Sequence, residues 1–248
     1  MKKRLCTLLL PLSLLLGTPN SARAATVEYS AGHADIGLAY EGGELELHYH
    51  FGDGAILDGV PVVSMDGMGL EYAPDEAHVL VPDDARIVTT DPVPFLGTRT
   101  GDPIWRLTQG NTPGLPFLGI AAEELDSMIF SNATIQMTSF NGPGEFALWQ
   151  PGALGGTTEY WRTNDGIDAS DAVTVGIGGH DHYFYGFTAE GIYDVGLTAE
   201  AEFAAGGSVT DMGVIRFVVG SATAVPEPSS FAVLCIGGTV LAARRRRR

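Results

Sequence analysis

Five of the six histidines in this 248-residue chain are spaced in a way that suits metal coordination. One residue separates His48 from His50 and His180 from His182, and His33 lies in the run Gly32-His33-Ala34-Asp35. Residues i and i+2 of a strand share a face, with Cβ atoms about 7 Å apart, so both imidazoles of such a pair can reach one ion. Imidazole sets without thiolate suit Zn²⁺, and also Cu²⁺, Ni²⁺ or Fe²⁺. If the two His-x-His strands were neighbours, His33, His48, His50, His180 and His182 would converge on one ion. Asp35 and Asp181 would then be alternative ligands or outer-shell oxygens, with Asp53 also within reach. His78, near Pro74-Asp75-Glu76, has no such companion and reads as structural. The plainer alternative is a patch of surface histidines among acids that titrates near neutral pH.

The elements that must carry these residues read as strands. In Glu44–Phe51 the alternation puts Leu45, Leu47, Tyr49 and Phe51 on one face and Glu44, Glu46, His48 and His50 on the other. Gly42-Gly43, preceded by an apolar run at 36–40, predicts a hairpin turn. Further strands are predicted at 133–140, 145–150, 173–177, 183–187, 192–199 and 214–219, with turn signals such as Asn141-Gly142-Pro143-Gly144 and Gly206-Gly207 between them. His180-Asp181-His182 is expected to close the 173–177 strand, its histidines opposite Val173, Val175 and Ile177. The one helix candidate is short, at 121–125. Many short strands with Gly/Pro punctuation predict an all-β, β-sandwich-like single domain, with the proline-rich stretch 52–119 wrapped over one end.

Other chemistry finds less support. The chain has no Gly-x-Ser-x-Gly, no phosphate loop and no His-Glu-x-x-His. The acidic loop from Asn164 to Asp171 lacks helix-loop calcium spacing, which makes Ca²⁺ the weaker fit. Trp149, Tyr160 and Trp161 could stack on sugars, although core packing is the commoner fate of such rings.

Both ends look like addresses rather than parts of the domain. Lys2-Lys3-Arg4, the apolar residues 8–16 and the Ala22-Arg23-Ala24 cleavage pattern make 1–24 a signal peptide. Residues 221–248 run through Val225-Pro226-Glu227-Pro228, thirteen uncharged residues (231–243) and then Arg244, Arg245, Arg246, Arg247 and Arg248. Thirteen residues of helix span roughly 20 Å, short of the ~30 Å hydrocarbon core, but arginine stems can snorkel to the headgroups. The body, 25–220, holds neither Cys6 nor Cys235, so no disulfide or catalytic thiol is available to it. Five arginines against 29 acids give it a net charge of −24, with no lysine. Such a surface repels nucleic acid and attracts cations.

The tail resembles the PEP-CTERM sorting signal of Gram-negative bacteria. The leader at the other end implies signal-peptidase removal and export through the inner membrane, which agrees with that resemblance. The resemblance itself implies brief membrane anchoring through the C-terminal helix, and processing near Pro226-Glu227-Pro228 by an exosortase. Delivery to the cell surface or exopolysaccharide matrix would follow. The body carries a second resemblance, in blocks that run in order. These are Gly32 to His48, Glu71-Tyr72-Ala73-Pro74-Asp75-Glu76, Phe95-Leu96-Gly97 with Ile104-Trp105, and Gly142-Pro143-Gly144-Glu145-Phe146-Ala147-Leu148. Gly178-Gly179-His180-Asp181-His182 follows, with Phe187-Thr188-Ala189-Glu190-Gly191-Ile192-Tyr193. Together they resemble the choice-of-anchor M domain, departing from it at Tyr183-Phe184-Tyr185-Gly186. The resemblance implies an extracellular β-domain, and related surface proteins accompany metal-uptake systems. The expectation is a non-enzymatic, metal-binding surface module. Alternatives are a structural or adhesive matrix protein in contact with exopolysaccharide or other surface proteins, and a metal-dependent hydrolase.

Overall fold

The computed structural model describes residues 26–65, 67–152 and 155–221; the leader at 1–24 and the sorting tail from Val225 to Arg248 lie outside them. The described residues form seventeen strands and two single-turn 3-10 segments, Asp83–Ala85 and Pro94–Leu96. None of their helices is long and apolar enough to cross a membrane.

Alternation builds the strands as expected. In Glu44–Phe51 the side chains of Leu45, Leu47, Tyr49 and Phe51 enter the core, while Glu44 and Glu46 are exposed. Gly42 and Gly43 both take positive φ, 60° and 95°, which closes the tight hairpin to the preceding strand Val27–Glu41.

Two sheets face each other. The larger runs, in spatial order, through Ala172–Val175, Phe130–Asn141, Gly191–Phe203, Ser208–Val219, Ala77–Val81, Val27–Glu41, Glu44–Phe51 and Leu70–Tyr72. The smaller has five strands: Thr157–Arg162, Phe146–Pro151, Phe184–Phe187, Pro103–Leu107 and Arg86–Val88. Aromatic side chains lock them together. Phe217 of the larger sheet meets Phe146, Tyr185 and Phe187 of the smaller, with ring centroids 5.1–5.9 Å apart. All four rings are fully buried in one continuous core. A satellite cluster of Leu96, Ile104, Ala147 and Trp149 lies under the Pro94–Leu96 turn, so part of the 52–119 stretch covers the outer face of the smaller sheet.

The first strand serves two neighbourhoods. Val27, Glu28 and Tyr29 pair in parallel with Ala77–Val81. Beyond Gly32 (φ +82°) the same strand pairs with Glu44–Phe51 on one side and Pro116–Glu124 on the other. A Cβ at Gly32 would stand 2.6 Å from the Gly54 carbonyl, so only glycine lets the strand change partners there.

Two sequence expectations change. The helix candidate at 121–125 belongs to the strand Pro116–Glu124, parallel to Val27–Glu41. Ala-Ala-Glu-Glu favours helix locally, but Leu118, Ile120 and Ala122 alternate into the core, and burial overrides propensity. His180-Asp181-His182 does not extend the 173–177 strand. Ala172–Val175 pairs with Phe130–Asn141; the chain then turns at Gly178 (φ +76°), and His180–His182 pairs with Pro116–Glu124 instead.

Candidate metal centre

Register places His48, His50, His180, His182 and Asp35 on the outer face of one group of strands. One cross-strand row runs His50, Asp35, Gly119, His182; the next runs His48, Gly37, Ala121, His180. Ile36, Leu38, Leu118 and Ile120 occupy the opposite, buried face. The two His-x-His strands are therefore not neighbours. Val27–Glu41 and Pro116–Glu124 lie between them, three strand spacings of about 4.8 Å in all, or roughly 14 Å. The single five-histidine centre anticipated from sequence becomes two groups, His33-His180-His182 and His48-His50-Glu124, each with potential ligand atoms within 4.8 Å of one another.

The three rings of the first group form a nearly equilateral triangle. Centroids are 5.1 Å apart for His33–His182, 5.3 Å for His180–His182 and 5.6 Å for His33–His180. A tetrahedral ion about 2.0 Å from one nitrogen of each ring puts imidazole centroids roughly 5.2 Å apart. Each ring is held. His182 stacks on Phe117 with centroids 3.6 Å apart and planes 8° from parallel. His180 Nδ1 is 2.6 Å from Glu123 Oε1, and His33 Nε2 is 3.3 Å from Asp35 Oδ2. A carboxylate behind an imidazole fixes its orientation and raises its basicity as a ligand. Two buried polar atoms beside the triangle, Asp35 Oδ1 and His182 Nδ1, have no hydrogen-bond partner. Asp35 can therefore orient His33 or supply a fourth donor.

Missing side chains make the room. A Cβ at Gly119 would lie 2.1 Å from Asp35 Oδ1 and 3.1 Å from His182 Cε1. At Gly37 it would lie 2.8 Å from His48 Nε2. An open depression lined by Gln109, Gly110, His180, Asp181, His182 and Phe184 reaches the triangle from solvent.

In the second group Glu124 Oε1 is 3.2 Å from His48 Nε2 and 3.1 Å from His50 Nδ1. A β-bulge brings Glu124 there. Gly37 opposes Ala121, but two residues further along the first strand Ala39 opposes Glu124 rather than Glu123. The extra residue turns both consecutive glutamates outward, Glu123 to His180 and Glu124 to the other pair.

The electrostatics follow from this geometry. Burial raises the Asp35 pKa, and the neighbouring His33 and His180 only partly oppose it. Burial, with His33 and His180 alongside, pushes His182 down to about 4, which keeps its lone pair free at neutral pH. His180 is raised, chiefly by its hydrogen bond to Glu123. Burial works against charge on His48, but the bond and charge of Glu124 outweigh it and raise the pKa. Glu124 is lowered in turn, first by its bond to His48.

The remaining candidates fall elsewhere. Asp181, between the two ligand positions, acts electrostatically on Tyr160 and Tyr183, and Asp53 accepts from the Ser64 amide and hydroxyl in a turn. His78 is buried against Thr26. In the 164–171 loop, Asp171 is buried and accepts from the Arg162 and Asp168 amides, which is turn formation rather than an open cation cradle. Trp161 is core, Trp149 packs on Phe95 and Phe184, and half-buried Tyr160 donates to Gln150. Sequence reasoning missed Glu123, Glu124 and the glycines beneath the rings. The acids were legible as a pair, but only the bulge gives each its partner.

No curated protein sequence matches the chain at a significant level. Residues 224–248 match the PEP-CTERM protein-sorting motif, so the chain carries a bacterial exosortase signal that marks it for export and sorting to the cell surface.

Proposed function

We propose that the exported body is a non-enzymatic surface module that binds a transition metal, Zn²⁺ by preference of geometry, through His33, His180 and His182. The observation that carries this reading is the triangle of rings 5.1–5.6 Å apart, assembled from two segments distant in sequence. An all-nitrogen set suits Zn²⁺, Cu²⁺, Ni²⁺ and Fe²⁺ over Ca²⁺ or Mg²⁺. Asp35 beside it supplies negative charge out of water, and a cation in the triangle offsets the cost of its burial. The acidic surface raises the local cation concentration. Glu123 and Asp35 are engaged by His180 and His33, as orienting groups would be, which favours binding over hydrolysis. The resemblance of the body to the choice-of-anchor M domain points the same way. After exosortase processing near Pro226-Glu227-Pro228, the module is delivered to the outer surface or polysaccharide matrix of a Gram-negative cell.

The test is metal content and melting temperature of the purified protein, with His180→Ala/His182→Ala as comparison. Zn²⁺ at a hundred times its Kd adds about 2.7 kcal/mol, or roughly 5–10 °C in a domain of this size. The double variant should lose the equivalent held by the triangle, and with it that increment. Only substoichiometric traces in the wild type, or an unchanged Zn²⁺-dependent shift in the variant, would end the reading and leave the structural or adhesive role.

A further inference from the structure

In the second group of side chains a backbone carbonyl stands behind each ring, on the side away from Glu124. His50 Nε2 is 2.7 Å from the Met68 carbonyl, and His48 Nδ1 is 3.4 Å from the Glu46 carbonyl. A carbonyl only accepts, so His50 Nε2 carries the proton, and the longer contact at His48 Nδ1 favours the same tautomer there. In a neutral ring the other nitrogen is then a bare lone pair. Those nitrogens, His50 Nδ1 and His48 Nε2, both face Glu124 Oε1, at 3.1 and 3.2 Å. Three acceptors turned on one another need a proton or a cation among them. Imidazoles whose far N–H is fixed by a backbone carbonyl while the lone pairs converge are the usual arrangement of metal-bound histidine.

The distances agree. Ligand atoms about 2.0–2.1 Å from a tetrahedral ion lie roughly 3.3 Å apart, close to the 3.1 and 3.2 Å edges measured at Glu124. His48 is nearly buried on what is otherwise the polar face of its strand, and it rests over Gly37, where a side chain would collide with it. From these observations we infer a second, separate metal site, in which His48 Nε2, His50 Nδ1 and Glu124 Oε1 hold a divalent transition metal. Its two-nitrogen, one-oxygen donor set is harder than the all-nitrogen triangle, so the two sites rank metals differently. Asp35 lies in the same cross-strand row as His50 and His182 and stands between the two ions.

Zn²⁺ stoichiometry and affinity, measured by competition with a chromophoric chelator, separate this site from the first. The protein should take up two equivalents. His50→Ala removes a half-exposed ring without opening the core and should leave one; Glu124→Gln, which keeps the shape, should weaken one equivalent at least tenfold. The His180→Ala/His182→Ala variant should retain one equivalent. A wild type that binds a single equivalent, unaffected by His50→Ala and Glu124→Gln, would overturn the second site and leave the first standing. A wild type that binds none would overturn both.

Discussion

Gly119→Ala tests the whole construction with a single methyl group. The new Cβ would stand 2.1 Å from Asp35 Oδ1, where ordinary contact begins near 3.4 Å, and 3.1 Å from the Asp181 carbonyl and His182 Cε1. The carboxylate must therefore move by more than 1 Å. Asp35 is buried, and over-packing against a buried side chain costs about 1–3 kcal/mol. Moving Asp35 also breaks its contact with His33, and loss of an outer-shell carboxylate lowers metal affinity about 10–100-fold, or roughly 1.4–2.7 kcal/mol. Gly176→Ala is the control: no atom lies within 4 Å of its Cβ, and it should be neutral or stabilising by about 0.4–1 kcal/mol through the unfolded chain. The assays are urea unfolding in chelator, which reads the steric cost alone, and Zn²⁺ competition, which reads the triangle. The second site should be spared by Gly119→Ala. If Gly119→Ala matches Gly176→Ala in both assays, Asp35 is not held against the rings and the geometry of the site is wrong.

Two further outcomes are expected. Burial lowers the His78 pKa although Glu28 Oε2 is 3.8 Å from its Nε2, so the folded protein holds this ring neutral. Its contribution is complete above the unfolded value near 6.5 and is lost as pH falls toward the lowered folded value. In chelator, the wild type should lose up to about 1.4 kcal/mol per pH unit relative to His78→Gln across that window, and parallel melting curves for the two proteins would refute it. At the other end of the chain, neutral replacements of Arg244, Arg245, Arg246, Arg247 and Arg248 should leave unprocessed precursor in cell fractions; normal processing and surface delivery would show that the arginines are not read.

Much of the fold was legible because antiparallel strands with one wet face write their burial as alternation. Glu44–Phe51, Phe130–Asn141 and Gly191–Phe203 were recognisable for that reason. Ala77–Val81 was not, since parallel neighbours on both sides bury nearly every residue and leave an apolar run without period. Thr157–Arg162 failed in the opposite way: it is an edge strand, charged and mostly exposed, with little apolar signal.

The site divides along the same line between local and long-range information. That His48 and His50 share a face, and His180 and His182 another, follows from the period of a strand. Which strands separate the pairs depends on pairing between segments about sixty to eighty-five residues apart, and spacing carries no trace of it. Pro116–Glu124 is the deciding element, because it enters beside the first strand and moves the two pairs out of reach of one ion. A regular strand there would present only one of Glu123 and Glu124 to the outer face. The bulge presents both, so adjacent acids serve different histidines: Glu123 backs His180 at 2.6 Å and Glu124 joins His48 and His50. One irregularity of one residue thus separates a three-nitrogen triangle from a mixed nitrogen–oxygen set. Deleting that extra residue should collapse the second group while leaving the first three rings in place.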